Sequence, residues 1–279
     1  MKSKIKVGLF VDTFYPMVDG VIRVVDNYAR RLKDKCNVTV YAPRTTAAFP
    51  LLDKMLEMGS MTEDDIVDKS LPYKVVRCNC LPFKTNNYVI PTPAFDVDFM
   101  MKLHKSKLDL VHIHSPFTVG QMGLYYAKLQ KVPVVATLHS QYRQDFERAV
   151  DFKPAIDVAM ASIMSVFNGC DECWTVNSDI RKLYIEEYAL KSPCYIKNNA
   201  TDHVPVKDRK AAAQAVNARF GLKEDDLVLL FIGRITFLKG LDLIVNSLAI
   251  VKKAGIKFKM LFVGEGADEK ALKALIKKN

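Results

Sequence analysis

Residues 5–33 have the sequence IKVGLFVDTFYPMVDGVIRVVDNYARRLK, in which an apolar run precedes a segment with helical periodicity. The apolar run Ile5–Val11 is typical of a buried strand. Five residues of the second segment recur at the spacing of one helix face: Val21, Val24, Val25, Tyr28 and Leu32. Strand followed by helix is therefore the unit that the sequence predicts first.

The same alternation continues along the chain. Further strands are predicted at 37–42, around 75–76, at 108–114, at 132–138 and around Trp174, and further helices at 95–107, 118–131, 156–168 and 178–189. Ser178 and Asp179 are candidates for the N-cap of the last helix. Strands separated by crossover helices predict an α/β fold with a parallel sheet covered on both faces.

A domain boundary is predicted at the polar stretch Asn199–Val206, which contains Pro205. The expected domains are residues 1–200 and 201–279. After a helix at 208–220, the second domain has a fully apolar, buried strand at 227–232, a second strand at 258–263 and helices at 241–254 and 267–278. Because an open sheet usually has about four to six strands, this domain is expected to be incomplete.

The composition and net charge restrict the kinds of partner and the location expected for this protein. The chain has 279 residues, of which 49% are hydrophobic, and a formal net charge of +10. This basic balance favours an anionic partner, such as a nucleotide, a nucleic acid or an acidic membrane surface. No zinc finger, RNA-recognition signature or basic heptad region is found, so no nucleic-acid partner is expected. The N-terminus lacks a signal peptide, which predicts a cytoplasmic protein.

The six cysteines are too few for a disulfide scaffold. Cys78-x-Cys80 and Cys170-x-x-Cys173 could together form one zinc site, but neither pair has the glycine-rich knuckle of zinc ribbons. Reduced, mostly buried thiols are the favoured interpretation.

Three loops after predicted strands carry candidate ligand groups. In the first, Gly20 at a helix start leaves room for a ligand near backbone amides, although a simple tight turn explains it equally well. The dinucleotide pattern G-x-G-x-x-G is absent, which disfavours a nicotinamide dehydrogenase. In the second, His139 follows the strand 132–138, where it is placed to face a cleft, although a structural histidine is the more common explanation for such a residue taken alone. In the third, Arg234 and Lys239 flank a glycine-bounded loop. They can converge with a helix N-terminus on a diphosphate, or they are solvated surface charges.

Taken together, these motifs resemble the family-four retaining glycosyltransferases of the GT-B fold. The resemblance rests on motifs in a fixed order: residues 12–20, Asp109–Pro116, Thr137–His139, Gly233–Gly240 and Val263–Gly266. It implies two Rossmann-like parallel-sheet domains facing a cleft, the N-terminal one taking the acceptor and the C-terminal one taking a nucleotide sugar.

The resemblance also implies roles for single residues. Arg234 and Lys239 would hold the donor diphosphate, and Gly20 would permit its close approach. His139 would lie near the transferred sugar as the candidate catalytic residue. The turn containing Glu265 and Gly266 would approach the nucleotide. No metal and no cofactor are expected, because the cations replace a metal and the donor, UDP-glucose by preference, is a substrate.

Within the family, residues 12–21 and 139–142 are most similar to transferases that glucosylate diacylglycerol. Asp19 and Tyr142 are therefore assigned to the acceptor side, and the expected acceptor is a membrane lipid. The net charge suits peripheral contact with the inner face of the plasma membrane. The apolar residues 47–52 with Met55, Leu56 and Met58 could face lipid, although an amphipathic helix packed on the domain is the favoured alternative.

Three departures from the family pattern bear on activity. Asp19-Gly20 replaces a glycine pair, and Asn198–Asp202 replaces the family's Pro-Asn-Gly-Ile-Asp linker. No Glu-x7-Glu motif, which holds the donor sugar and ribose in the family, occurs in residues 1–279. The alternatives are a truncated, non-catalytic module that binds acceptor or membrane, and a nucleotide-sugar epimerase, whose acid/base set cannot be identified in this sequence.

Overall fold

The computed structural model describes residues 3–45, 62–85, 88–200 and 204–278. The chain divides into two compact units, Met1–Asp202 and His203–Asn279. Each unit has its own sheet and its own apolar core.

The described helices and strands of the N-terminal unit alternate along most of the chain. In order they are β1 (Lys6–Phe10), α1 (Gly20–Leu32), β2 (Asn37–Pro43), α2 (Glu63–Ser70), β3 (Lys74–Cys78), β4 (Cys80–Thr85), β5 (Tyr88–Pro91), α3 (Val97–Ser106), β6 (Leu110–Ile113), α4 (Thr118–Gln130), β7 (Val134–Leu138), α5 (Tyr142–Ala149), α6 (Lys153–Asn168), β8 (Glu172–Thr175), α7 (Ser178–Lys182) and β9 (Cys194–Ile196). The exceptions to the alternation are the succession β3–β4–β5 and the helix pair α5–α6.

Seven of these strands form one parallel sheet in the order β3-β2-β1-β6-β7-β8-β9. The predicted parallel sheet is confirmed. Consecutive strands run outward from β1 on one side and from β6 on the other. The carboxyl ends of β1 and β6 therefore define the switch point at which ligands bind in open parallel sheets.

Helices pack on both faces of this sheet. On one face, α1 buries Ile22, Val25 and Ala29 against Leu9 and Val40. On the other face, helices α3, α4 and α6 pack on the sheet; their largest buried side chains are Phe99, Tyr126 and Phe167. The three-to-four-residue spacing of apolar side chains in α1 is what turns one side of that helix to the sheet.

The structure corrects several local predictions. The antiparallel pair β4–β5 was not predicted, and Pro82 interrupts its apolar pattern. Helix α5 was not predicted because most of its residues are polar. The helix predicted at 95–107 begins only at Val97, because the Asp96 side chain accepts a hydrogen bond from the N–H of Phe99.

The helix predicted at 178–189 has a different start and end. Its N-cap is Asn177, whose side chain accepts a hydrogen bond from the N–H of Ile180, and not Ser178 or Asp179. The α-helical part, α7, gives way to a π-helical turn at Leu183–Glu187.

The C-terminal unit contains α8 (Arg209–Phe220), β10 (Val228–Ile232), α9 (Leu241–Lys253), β11 (Lys259–Val263) and α10 (Glu269–Lys278). Strands β10 and β11 pair in parallel, and buried side chains of α9 and α10 pack against one face of the pair. Strand β10 was predicted to be buried, and this prediction is wrong for the face of β10 that points away from α9 and α10. Leu230 and Ile232 are 56% and 71% exposed, because described helices of the unit cover one face only.

Candidate functional site

A buried carboxylate occupies the switch point of the N-terminal unit. Asp12 follows β1, is only 5% exposed, and accepts hydrogen bonds from the backbone N–H groups of Phe117 (3.2 Å), Val119 (2.7 Å) and Gly120 (3.4 Å). These groups form the N-terminus of α4, which would otherwise attract an anionic ligand. Burial raises the pKa of Asp12 to about 6, and the N–H bonds act in the opposite direction.

The loop between β1 and α1 ends at Asp19 and Gly20. The Asp19 carboxylate accepts the N–H of Ile22 at 2.8 Å, so this side chain caps α1. Gly20 is exposed, and a Cβ added there would meet no atom within 4 Å. The loop therefore has open space at the helix start, and the roles assigned to Asp19 and Gly20 stay predictions.

A buried aspartate that was not identified from the sequence forms hydrogen bonds with the same loop. The Asp26 carboxylate, on α1, accepts hydrogen bonds from the hydroxyls of Tyr15 (3.1 Å) and Tyr73 (2.6 Å). Arg30 Nε donates to it as well, at 2.8 Å. An acidic residue on the apolar face of an amphipathic helix is the sequence signal that could have revealed it.

Arg77, on β3, is the second supporting residue that was missed. Its buried guanidinium donates to the Tyr15 carbonyl oxygen at 2.8 Å and pairs with Asp64 at 3.1 Å and Asp68 at 2.7 Å. One side chain thus joins α2 to the loop after β1. An arginine inside the apolar run Val75–Cys78 was the available signal, because a buried arginine requires partners.

Three histidines lie side by side at the ends of β6 and β7. His112 Nε2 is 2.8 Å from Thr137 Oγ1, and the ring centroids of His112 and His114 are 4.0 Å apart. His114 Nδ1 is 3.1 Å from His139 Nε2. The sequence singled out His139 and quoted His112 and His114 only as part of a motif. The parallel pairing of β6 with β7 brings the three together.

Burial keeps these histidines neutral. It lowers the pKa of His112 to about 3 and that of His139 to about 4, and it holds the pKa of His114 well below its ordinary value. Near pH 7 the row therefore offers hydrogen-bonding groups without positive charge. His114 is fully buried, whereas His139 is partly exposed and is the member that a ligand can reach.

Tyr142 begins α5 and packs into the core. It is 7% exposed, its ring meets Phe117 edge-to-face at 5.6 Å, and the Phe167 ring lies 6.3 Å away. Burial raises the pKa of its hydroxyl. Little of its surface is left for a ligand, and its acceptor-side role stays a prediction.

In the C-terminal unit, the loop after β10 lies directly against the turn after β11. The Ile235 N–H donates to the Glu265 carbonyl oxygen at 2.8 Å. A Cβ at Gly264, whose φ is 151°, would collide with the Gly233 carbonyl oxygen, and a Cβ at Gly266 would collide with that of Ile235. These two glycines are required because backbone meets backbone here.

Two cations and an uncapped helix N-terminus occur in this loop. Gly240, with φ 71°, is the N-cap of α9 and provides no side-chain hydrogen bond. Arg234 and Lys239 are exposed and, among the residues that the structure describes, form no ion pair. Positive side chains beside unpaired helix N–H groups form an arrangement suited to an anion. Glu265 is exposed on the neighbouring turn, and its nucleotide contact stays a prediction.

Within the described ranges, no group of three potential metal ligands exists, and none of the six cysteines forms a disulfide. Five of those thiols are buried, as the favoured interpretation expects, and the alternative zinc site has no support there. None of the helices described is both long and apolar enough to cross a membrane. The candidate lipid-facing segment at 47–58 lies outside the described residues.

Comparison with known proteins places the chain in a family. Residues 18–203 match the model described as Glycosyltransferase Family 4, and residues 213–279 match Glycosyl transferases group 1. The chain is 24% identical over 290 residues to an alpha-monoglucosyldiacylglycerol synthase from Acholeplasma laidlawii, covering 97% of this chain and 66% of that protein. A synthase of the same name from Streptococcus pneumoniae (strain ATCC BAA-255 / R6) is 22% identical over 272 residues, covering 94% of this chain and 56% of that protein.

A solved structure agrees with the fold. Sucrose-phosphate synthase from Thermosynechococcus elongatus superposes with a TM-score of 0.68 at 16% identity, covering 99% of this chain and 68% of that one. The chain thus spans 66% and 56% of the lengths of the two curated relatives. The predicted GT-B fold is confirmed. Since a single family model matches residues 18–203, well over half of the chain, the chain belongs to glycosyltransferase family 4.

Proposed function

We propose that the protein is a retaining glycosyltransferase that moves a hexose from a nucleotide-diphosphate sugar, UDP-glucose by preference, to a diacylglycerol-type membrane lipid. Residues 1–200 take the acceptor and residues 201–279 take the donor. The observation that carries the proposal is the open anion-binding arrangement of Arg234, Lys239 and the uncapped N-terminus of α9.

This arrangement suits a diphosphate leaving group. A guanidinium can bind two phosphate oxygens at once, and an ammonium adds a point charge. As the bond to the sugar breaks, negative charge develops on the diphosphate, so these groups stabilise the transition state more than the ground state. No divalent metal is needed in this scheme, because the two cations supply the charge.

The acceptor assignment has different support. The N-terminal unit offers an open helix start at Gly20 and the neutral, partly exposed His139, which suit an uncharged hydroxyl better than a phosphate. The lipid class follows from the two curated relatives, both named alpha-monoglucosyldiacylglycerol synthases. A net charge of +10 favours an anionic membrane surface as the place where that acceptor is met.

Calorimetric titration of the chain with UDP-glucose tests the donor site. Arg234→Ala and Lys239→Ala should each weaken binding about 10- to 100-fold, since a charge-assisted hydrogen bond contributes about 1.5–3 kcal/mol. The matched control is Lys257→Ala, which removes the same charge from an exposed lysine before β11. This lysine lies at the amino ends of the two parallel strands, opposite the loop with Arg234 and Lys239. Equal losses in all three variants would reject the assignment.

A transfer assay with radiolabelled UDP-glucose and diacylglycerol vesicles tests the reaction. Because residues 1–279 contain no Glu-x7-Glu motif, we expect turnover at least about 10²-fold below that of a chimera extended with the unmatched part of the Acholeplasma laidlawii relative. Equal turnover would show that the motif is dispensable. Vesicle binding without transfer by either protein would support the non-catalytic module instead.

A further inference from the structure

The contact between His114 and His139 is a well-aligned hydrogen bond. The two ring planes are inclined by 15°, and their centroids are 5.4 Å apart. The N···N distance of 3.1 Å plus the two distances from ring centre to nitrogen accounts for the whole centroid separation. Both nitrogens therefore lie on the line between the rings, and the proton of one points at the lone pair of the other.

The buried end of this pair determines which nitrogen carries the proton. His114 is 0% exposed, and its Nε2 finds no hydrogen-bond partner in the described part of the chain. If His139 donated, the proton of His114 would sit on Nε2 as a buried, unpaired N–H, and such orphaned donors are rarer in proteins than unpaired acceptors. If His114 donates from Nδ1, only a lone pair is left unpaired.

Donation from His114 Nδ1 also determines which nitrogen of the partly exposed His139 ring carries a proton. When Nε2 of His139 accepts from His114, the single proton of the neutral His139 ring lies on its other nitrogen, Nδ1. We propose that His114 is a positioning residue that holds His139 as the Nδ1–H tautomer, so that His139 presents a hydrogen-bond donor, and not a basic lone pair, to a hydroxyl oxygen of the bound acceptor. The contact with the acceptor rests on the proposed function, whereas the tautomer does not.

Nitrogen NMR of ¹⁵N-histidine-labelled chain measures the tautomer directly. The chain has five histidines, and the signals that disappear in His139→Gln assign those of His139. At about pH 7, His139 should show a protonated Nδ1 and an unprotonated Nε2. A protonated Nε2 on His139 would overturn the proposal.

Two substitutions at position 114 separate positioning from packing. Asn carries its amide nitrogen as many bonds from Cβ as Nδ1, so His114→Asn keeps a donor; Leu has a similar shape and no donor. In His114→Leu, His139 should revert to the Nε2–H form that solvated imidazoles prefer, and in His114→Asn it should remain Nδ1–H. Circular dichroism spectra like that of the wild type confirm folding of both variants. The same tautomer in both variants would reject the positioning role.

Addition of dioctanoylglycerol, a short-chain diacylglycerol, to the labelled chain tests the acceptor contact separately. The Nδ1 signal of His139 should shift in the wild type. At equal, sub-saturating ligand the shift should be up to about tenfold smaller in His114→Leu, since one hydrogen bond corresponds to about a tenfold change in affinity. An unshifted Nδ1 in a chain that binds dioctanoylglycerol calorimetrically would reject this contact. Absence of any dioctanoylglycerol binding would instead reject the proposed acceptor.

Discussion

Helices α4 and α9 each follow a parallel strand, yet their N-termini are filled differently. The N-terminus of α4 receives the carboxylate of Asp12, which accepts three of its backbone N–H groups. The N-terminus of α9 has Gly240 as its N-cap, with Arg234 and Lys239 on the same loop. Each helix N-terminus attracts negative charge, but the protein itself supplies that charge at α4 only.

This difference supports the proposed division of donor and acceptor between the two units. An anionic donor finds unpaired N–H groups and cations in the C-terminal unit. In the N-terminal unit, a second anion would meet the Asp12 charge, and the neighbouring histidines are neutral. The N-terminal unit is therefore suited to an uncharged acceptor group.

The largest effect is expected from removing the Asp12 carboxylate. Asp12→Ala leaves three N–H groups of α4, two of them buried, without an acceptor, which should lower the free energy of unfolding by about 2–3 kcal/mol. Urea denaturation measures the loss. Formate should restore part of the stability of the variant by replacing the carboxylate, relative to chloride at equal ionic strength. A variant as stable as the wild type would show that Asp12 is not the partner of α4.

The next effect concerns the open helix N-terminus. Gly240→Asp adds to α9 the charge that α4 already has, and should weaken UDP-glucose binding about 10- to 100-fold. Gly240→Asn is the matched control, because asparagine tolerates the left-handed conformation equally well without charge. It should lose only a few-fold in affinity. Similar losses for Asp and Asn would mean that shape, and not charge, limits binding.

Acid should weaken the N-terminal unit through its histidines. Their pKa values lie well below the unfolded value of about 6.5, so the stability they contribute is complete above that pH and is lost as pH falls. Between its folded pKa and about 6.5, each histidine lowers the free energy of unfolding by about 1.4 kcal/mol for every unit by which the pH falls. Asp12 acts with the opposite sign, because its raised pKa makes its contribution decline as pH rises from about 3.8 to about 6.

Urea denaturation between about pH 7 and pH 5 tests this balance. His112→Gln should flatten the loss of stability by about 1.4 kcal/mol per pH unit below pH 6.5, and Asp12→Asn should steepen it. His104→Gln, at an exposed histidine of α3, serves as the control for replacing a histidine by glutamine. An unaltered slope in His112→Gln would contradict the assignment of a neutral, buried histidine.

The smallest effect is expected at Asp19, which caps α1 through one hydrogen bond at a partly exposed position. Asp19→Ala should lower stability by about 1 kcal/mol, as for an ordinary N-cap, and formate should not restore it. The difference between the stability losses of Asp19→Ala and Asp12→Ala measures the stability that burial and two further N–H partners contribute at Asp12. A loss as large as that of Asp12→Ala would refute this distinction.

Much of the site could be predicted because its signals are local. Apolar runs followed by helical periodicity predicted the parallel strands, and the family resemblance pointed to the Val263–Gly266 turn and to the charged loop Gly233–Gly240. The exposed face of β10 could not be predicted, since an apolar strand has the same sequence whether one or both of its faces are covered. Helix α5 was not predicted because most of its residues are polar and only its first residue, Tyr142, is buried.

The sequence by itself determined the strand-helix alternation and the glycines and cations of residues 233–240, because periodicity and backbone freedom act over a few residues. Only the tertiary structure decided which helix N-terminus stays open and which histidine nitrogen is paired. Asp12 and Val119 are 107 positions apart, and His114 and His139 are 25 apart. Hydrogen bonds over such separations depend on strand order and register, which bring the carboxyl ends of β1, β6 and β7 to one edge of the sheet.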